Sequence, residues 1–332
     1  MRALILERPG SIRLVSVPSP EPGPGELVVR VKAATTCGTD LKAYLRGHPQ
    51  IPMPGPFGHE YSGVVAAAGP GAPFDVGTEV MGVHSAPCQS CRWCLGGQEN
   101  LCESIMATKV LGSYAEYLVV PERIARLNVF IKPKEVPFAV ASLLEPLACV
   151  AQGVSEIRAS FRNPAQSVLV IGTGAIGLMF AAAFKRAGVA SVTMAGRNPV
   201  RLAVGENLGA RTLHWPDVPE GVFDLVVECT GQVEVWERSI HLARKGGTVV
   251  LFGGCPGGSK ASFDTRKLHY DQITLLSPFH FGTAAVRTAR DWLVEDPSTL
   301  APLISGHRGL YEADRTFADL KAGKGIKYVF QP

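Results

Sequence analysis

The sequence predicts an α/β protein of two domains, a β-rich one followed by a doubly wound parallel sheet. Three observations carry this. The chain has 332 residues, more than one hydrophobic core usually serves. Residues 1–138 run in short apolar segments (ALIL, IRLVSV, ELVVRVKAA, AEYLVV) separated by turns such as PSPEPGPGE and MPGPFG, the pattern of brief strands with Pro/Gly punctuation. Residues 139–282 alternate longer apolar strands with helical periods, which implies βαβ units.

In the second region the strands are SVLVIG, SVTMA, RTLHW, DLVVEC, GTVVLFG and QITLL. The helices are AIGLMFAAAFKRAG, PVRLAVGENLGA and VEVWERSIHLARKG. The last part, 283–332, returns to helices and ends on the strand KYVFQ, expected to pack back on the first domain. No internal repeat is visible.

Composition removes several classes of function. Hydrophobic residues make up 46% and charged residues 19%, a globular balance rather than a disordered one. The formal charge is only +4 and comes without a Lys/Arg block, so no nucleic-acid partner is expected. The uncharged run VLVIGTGAIGLMFAAAF (168–184) holds three glycines and falls short of the roughly 20 residues a membrane span needs. A buried strand, turn and helix explain it instead. Arg2, Glu7 and Arg8 break any signal-peptide core, and the expected address is the cytoplasm, with no membrane partner.

In such a reducing compartment, clustered cysteines are metal ligands more often than disulfides. Of the eight cysteines, Cys88, Cys91, Cys94 and Cys102 stand within CQSCRWCLGGQENLC. The spacing C-x2-C-x2-C-x7-C suits one tetrahedral zinc, with an iron–sulfur cluster as the rival. A zinc with four protein ligands is closed to chemistry, so this loop is read as a brace. A zinc-finger module for nucleic acid does not fit, since Arg92 is the only basic residue in the stretch.

Gly172, Gly174 and Gly177 form G-x-G-x-x-G between the strand VLVI and an apolar helix. In that setting the motif predicts a dinucleotide whose pyrophosphate sits on the helix N-terminus. An acidic residue about 20 positions on grips the ribose 2′-OH of NAD. Gly196 stands at that place, followed by Arg197 and Asn198. A glycine leaves room for a 2′-phosphate and an arginine can pair with it, which favours NADP over NAD.

A second, open metal set is suggested in the β-rich domain. Cys37 opens a helix at CGTD, His59 and Glu60 follow a proline-rich loop, and Glu145 lies in the helix of SLLEPLACV. One thiolate, one imidazole and one or two carboxylates can hold zinc with a position left for an exchangeable ligand.

With these motifs together, the chain resembles the zinc-dependent medium-chain dehydrogenases along nearly its whole length. The resemblance rests on CGTD (37–40), GHEYSGVV (58–65), the Cys88–Cys102 loop, EPLAC (145–149), IGTGAIG (171–177) and VVECTG (226–231). GHE and EPL point to the branch of polyol, sorbitol-like, threonine and secondary-alcohol dehydrogenases. The resemblance implies a GroES-like catalytic domain, a Rossmann domain and an active site in the cleft between them. It implies that Cys37 and His59 are ligands of a catalytic zinc, with Glu60 and Glu145 competing for the remaining position, one directly and the other through water. It makes Thr39 the hydroxyl that passes a proton. Cofactor contacts are implied at Gly172, Gly174, Ala175, Ile176, Gly177, Arg197, Asn198 and Thr230.

The chemistry that follows is hydride transfer between a secondary alcohol or polyol and a nicotinamide dinucleotide. Zinc would act as the Lewis acid, as when it lowers the pKa of water from about 15.7 to about 7. Many relatives place a histidine shortly after the proton-passing hydroxyl, whereas this chain has Lys42 there and His48 further on. Candidate pocket residues are Tyr44, Phe57, Lys109 and Phe279. A homo-oligomer, dimeric or tetrameric, is expected. The alternatives are a zinc-free quinone reductase, disfavoured by the full set of ligand types, and a non-catalytic dinucleotide-binding protein of the same fold.

Overall fold

The strand Leu27–Thr35 (LVVRVKAAT) is apolar on both faces over most of its length, and its side chains are buried accordingly. It pairs antiparallel with Tyr61–Ala68, with Tyr117–Val120 and with Lys327–Phe330. It thereby organises a seven-stranded sheet that also holds Glu79–Gly82, Val129–Ile131 and Ile304–Arg308. Arg2–Arg8, Ser11–Ser16 and Gly55–Pro56 form a smaller antiparallel sheet. Between them lies a core in which Phe57, Tyr114 and Phe317 are fully buried and in ring contact. The C-terminal strand KYVF does return to the first part of the chain, through Val329↔Thr35 and Phe330↔Ala34.

This computed structural model describes residues 1–160 and 166–332, in two units. One is Met1–Cys149 with His280–Pro332, the other Val150–Phe279. The unit boundaries at 149/150 and 279/280 differ from the sequence-based 138/139 and 282/283. At the first boundary the reason is the helix Leu144–Ser160: periodicity changes where the helices begin, whereas the division falls inside one of them.

In the second unit six strands run parallel in the order Arg211–His214, Ser191–Gly196, Ser167–Ile171, Phe223–Glu228, Ala243–Leu251, Thr274–Leu276. The chain therefore starts in the middle of the sheet and winds outward both ways. That order puts a topological switch point at the C-terminal end of Ser167–Ile171, where such sheets bind ligands. The helices Ala175–Arg186, Pro199–Asn207 and Val233–Leu242 connect the strands, as the alternating pattern predicts. No helix among the described residues is long and apolar enough to cross a membrane.

Candidate active site

Cys37 follows the central strand Leu27–Thr35 and caps the helix Gly38–Arg46, its Sγ accepting from Thr39 N at 3.4 Å. Asp40, at the third helical position, accepts from the Cys37 backbone N–H at 3.1 Å and completes a capping box. His59 and Glu60 come from the loop before Tyr61–Ala68. The left-handed φ of 88° at Gly58 holds that loop, and a side chain there would strike Ser113 Oγ at 2.6 Å and the Tyr114 ring at 2.7 Å. Only glycine lets the loop approach so closely.

The ligand atoms of Cys37, His59 and Glu60 lie within 4.8 Å of one another. Asp40 supports them from behind: its Oδ1 is 3.1 Å from His59 Nδ1 and its Oδ2 accepts from Tyr114 Oη. With Nδ1 turned to a carboxylate, Nε2 is the nitrogen left for a metal. Burial disfavours a charged His59, but Asp40 and Cys37 outweigh it and hold its pKa well above the ordinary value. The surroundings thus favour positive charge at this point, which suits a cation. These donors fit a zinc site.

Glu60 and Glu145 are not equivalent. Glu60 is fully buried and takes both oxygens to Lys327 Nζ, at 2.7 and 2.6 Å, while Thr35 donates a short hydrogen bond. Burial, against the attraction of Lys327, raises its pKa to about 6. Glu145 stands outside the set of three, and its Oε1 lies 3.2 Å from His84 Nδ1. Burial acts to raise its pKa, but His84 prevails and lowers it. His84 in turn packs edge-on to His59, ring centroids 5.1 Å apart, and to His280 at 5.4 Å. His280 Nε2 is 2.7 Å from Ser85 Oγ, and burial drops its pKa to about 3. Sequence reading missed Asp40, His84, His280 and Lys327. Of these only Asp40 had a local signal, the capping-box position in CGTD.

Of the candidate pocket residues, one is core and one packs against the core. Phe57 is 0% exposed and stacks on Phe317, and Tyr44 packs on the same ring at 5.2 Å. Phe279 is exposed. Lys109 is half-buried beside the histidines, since the next residue donates its backbone N–H to His84 O at 2.7 Å. His48, half-buried, accepts from Gln50 N at its Nδ1.

The four-cysteine loop gathers as predicted. The sulfurs of Cys88, Cys91, Cys94 and Cys102 lie within 4.8 Å of one another. Cys88–Cys94 and Cys91–Cys94 are 3.9 and 3.6 Å apart, and no disulfide forms. A sulfur tetrahedron with bonds of about 2.3 Å to zinc has edges near 3.8 Å. An iron–sulfur cluster, being several atoms across, holds its cysteines wider. Backbone N–H groups point at the sulfurs, Ser90 N and Cys91 N at Cys88 and Cys88 N at Cys102. The Ser90 hydroxyl foremost, then the Ser90 and Cys91 N–H groups, lower the pKa of Cys88 to about 5. Glu99 ties the loop to the helix Thr283–Glu295 by accepting from Thr283 N at 2.8 Å and its hydroxyl at 2.6 Å.

In the second unit the glycines have distinct duties. Gly172 has φ 106°, and a Cβ on Gly177 would lie 1.9 Å from Gly172 O, so the turn closes onto its helix. A Cβ on Gly174 would meet open space, room for a phosphate at the start of Ala175–Arg186, whose first residues are Ala175 and Ile176. Thr230 follows the strand Phe223–Glu228 and borders Gly172, whose added Cβ would lie 3.0 Å from Thr230 Cγ2. Its N–H and hydroxyl both donate to the buried Glu228. Gly196 ends its strand against Thr173: a Cβ there would come within 2.6 Å of Thr173 Cγ2. Sequence reading takes this glycine as room for a 2′-phosphate, whereas the packing already requires it. Arg197 is exposed, and Asn198 Oδ1 caps Pro199–Asn207 by accepting from Arg201 N.

Known proteins resemble this chain along nearly its whole length. Residues 23–128 match the alcohol dehydrogenase GroES-like domain and residues 175–295 the zinc-binding dehydrogenase domain. D-altritol 5-dehydrogenase of Agrobacterium fabrum is 34% identical over 93% of this chain and 92% of its own. L-threonine 3-dehydrogenase of Deinococcus radiodurans is 29% identical over 99% and 97%. A zinc-binding dehydrogenase of Sinorhizobium meliloti, solved with NADP, superimposes with a TM-score of 0.86 at 30% identity, covering 100% of this chain and 99% of that one.

The fold and the metal-ligand set define a metal-assisted hydride-transfer enzyme. The chain belongs to the zinc-dependent medium-chain dehydrogenases. It is an oxidoreductase that moves hydride between an alcohol and a nicotinamide dinucleotide.

Proposed function

We propose that the chain interconverts a secondary alcohol or polyol with its carbonyl partner, using NADP and a zinc held by Cys37, His59 and Glu60. The observation that carries this is the convergence of those three ligand atoms within 4.8 Å. Bound zinc supplies Lewis acidity at the alcohol oxygen and bound dinucleotide supplies the hydride acceptor. Asp40 orients His59 through Nδ1, and Glu145, paired with His84, would be the further carboxylate that a bound zinc could draw on. Thr39, in the first turn of the helix that Cys37 caps, passes on the alcohol's proton.

Cys88, Cys91, Cys94 and Cys102 hold a second, structural zinc, with no position left for substrate. At the dinucleotide, Gly172, Gly174, Ala175, Ile176 and Gly177 cradle the pyrophosphate, and Thr230 borders the turn. The missing acid at Gly196 and the exposed Arg197 beside it favour a 2′-phosphate, with Asn198 next in line. A cytoplasmic homo-oligomer completes the reading.

Cys37→Ser should lose one zinc per chain and alcohol oxidation while dinucleotide still binds, read by metal analysis and fluorescence titration. Full activity in a protein lacking that zinc defeats the assignment. For the cofactor, Arg197→Ala should lower kcat/KM with NADP about tenfold or more, as loss of a charged hydrogen bond does, and leave NAD unchanged. A parent enzyme with higher kcat/KM for NAD rules out the NADP preference. Gly196→Asp is the poorer test, because its side chain must first displace Thr173.

A further inference from the structure

The charges around the candidate zinc site do not balance at Lys109. Each buried carboxylate has its own partner: Asp40 has His59, Glu60 has Lys327 and Glu145 has His84. Lys109 has only neutral acceptors, Gln50 Oε1 at 3.2 Å and Met106 O at 3.0 Å, and no carboxylate among the described residues forms an ion pair with it. An ammonium has three donors, so one is left for water or for a bound group. Partial burial of a cation without a counter-ion is unfavourable, and burial does lower the pKa of this lysine.

Its segment is joined to that of His84, the neighbour of the candidate ligand His59. Val110 N donates to His84 O, and the His84 ring is 5.1 Å from that of His59. Burial lowers the pKa of His84, His280 and His48, and the Lys109 charge acts in the same direction on each. Gln50, which Lys109 contacts, also bonds His48, so segments 48–51 and 106–110 meet around the ammonium. A neutral alcohol would leave that cation unpaired, whereas an anionic group on the same molecule would complete it.

We propose that Lys109 is a specificity-determining residue that binds an anionic group, a carboxylate or a phosphate, carried by the alcohol substrate. This rests on the dehydrogenase reading above and narrows its substrate class. The anion pairs with Lys109 Nζ through a charge-assisted hydrogen bond, which orients the carbinol carbon and leaves the chemistry at the metal unchanged.

The test compares kcat/KM of the zinc-loaded enzyme on neutral and charged alcohols: 2-butanol and sorbitol against 3-hydroxybutyrate, L-threonine and sorbitol 6-phosphate. The parent should prefer a charged member, and whether it is a carboxylate or the phosphate ester identifies the source of the anion. Lys109→Met should lower kcat/KM for that substrate about 10- to 100-fold, the range of one charged hydrogen bond, chiefly through KM. Activity on the neutral alcohols should change less than about twofold, and Lys109→Arg should recover part of the loss. Neutral alcohols turned over as well as every charged one, or a Lys109→Met loss equal for both classes, overturns the proposal alone. No turnover of any alcohol with either dinucleotide overturns the dehydrogenase reading and this proposal with it.

Discussion

Lys327 shows how much one distant side chain can decide. Its ammonium, 2% exposed, is held by both oxygens of Glu60 and by Thr36 O at 2.7 Å. Burial works against its charge, but Glu60 more than restores it and the pKa is raised. Removing one member of a buried pair leaves an uncompensated charge, at a cost of about 3–5 kcal/mol. Lys327→Met should therefore lower stability by that order in urea unfolding, and adding Glu60→Gln should recover part of it. A Lys327→Met protein as stable as its parent would show that the pair holds nothing. The same lysine bears on the metal, because Glu60 can approach a cation only by sharing its carboxylate with Lys327 and Thr35.

At the scale of elements, Asp224 joins parts of the parallel sheet. It sits in the strand Phe223–Glu228 and its Oδ2 accepts from Ser167 N at 2.7 Å, Ser167 Oγ at 3.0 Å and Gln166 N at 3.0 Å. Its Oδ1 meets Arg244 Nε at 2.5 Å. Burial pushes its pKa up, but the Ser167 N–H and Arg244 outweigh this and the value falls below the usual range. The sign follows from proton counting: between the folded pKa and the unfolded value of about 3.9 the unfolded chain binds more protons. The stabilisation is present above about pH 3.9 and is lost as the pH falls through the folded value. Asp224→Asn should unfold at lower urea than the parent at pH 7, and the two midpoints should converge below about pH 4. A gap that stays constant with pH would mean that the charge of Asp224 plays no part.

Across the whole molecule, the two candidate metal-ligand sets lie in one unit and the glycine turn in the other. Binding of a structural zinc contributes directly to folding, and loss of its ligand undoes that. Cys94→Ser should therefore lose about one zinc per chain and melt at a lower temperature, while dinucleotide binding persists at permissive temperature. Glu99 carries the effect further, since it links the loop to Thr283, three residues after His280. Retention of the full zinc content and melting temperature by Cys94→Ser would exclude a four-cysteine site.

What the sequence determined by itself was whatever depends on neighbours along the chain. Four cysteines in fifteen positions, a glycine triplet between strand and helix, and alternating apolar periods each state a local geometry. They were legible because a loop, a turn or a helix face is built from residues a few places apart. Cys37, His59 and Glu60 could be picked out in the same way, as motifs with known company. Only the tertiary structure decided how their surroundings are charged. Lys327 reaches Glu60 across 267 positions, His280 reaches Ser85 across 195, and Lys109 is set beside His84 by a backbone bond from its neighbour. It also put Phe57 in the core, laid Tyr44 against it and filled the space beside Gly196 with Thr173. Burial and electrostatic pairing depend on distance in space, and no pattern of spacing along the chain records which far segments will meet.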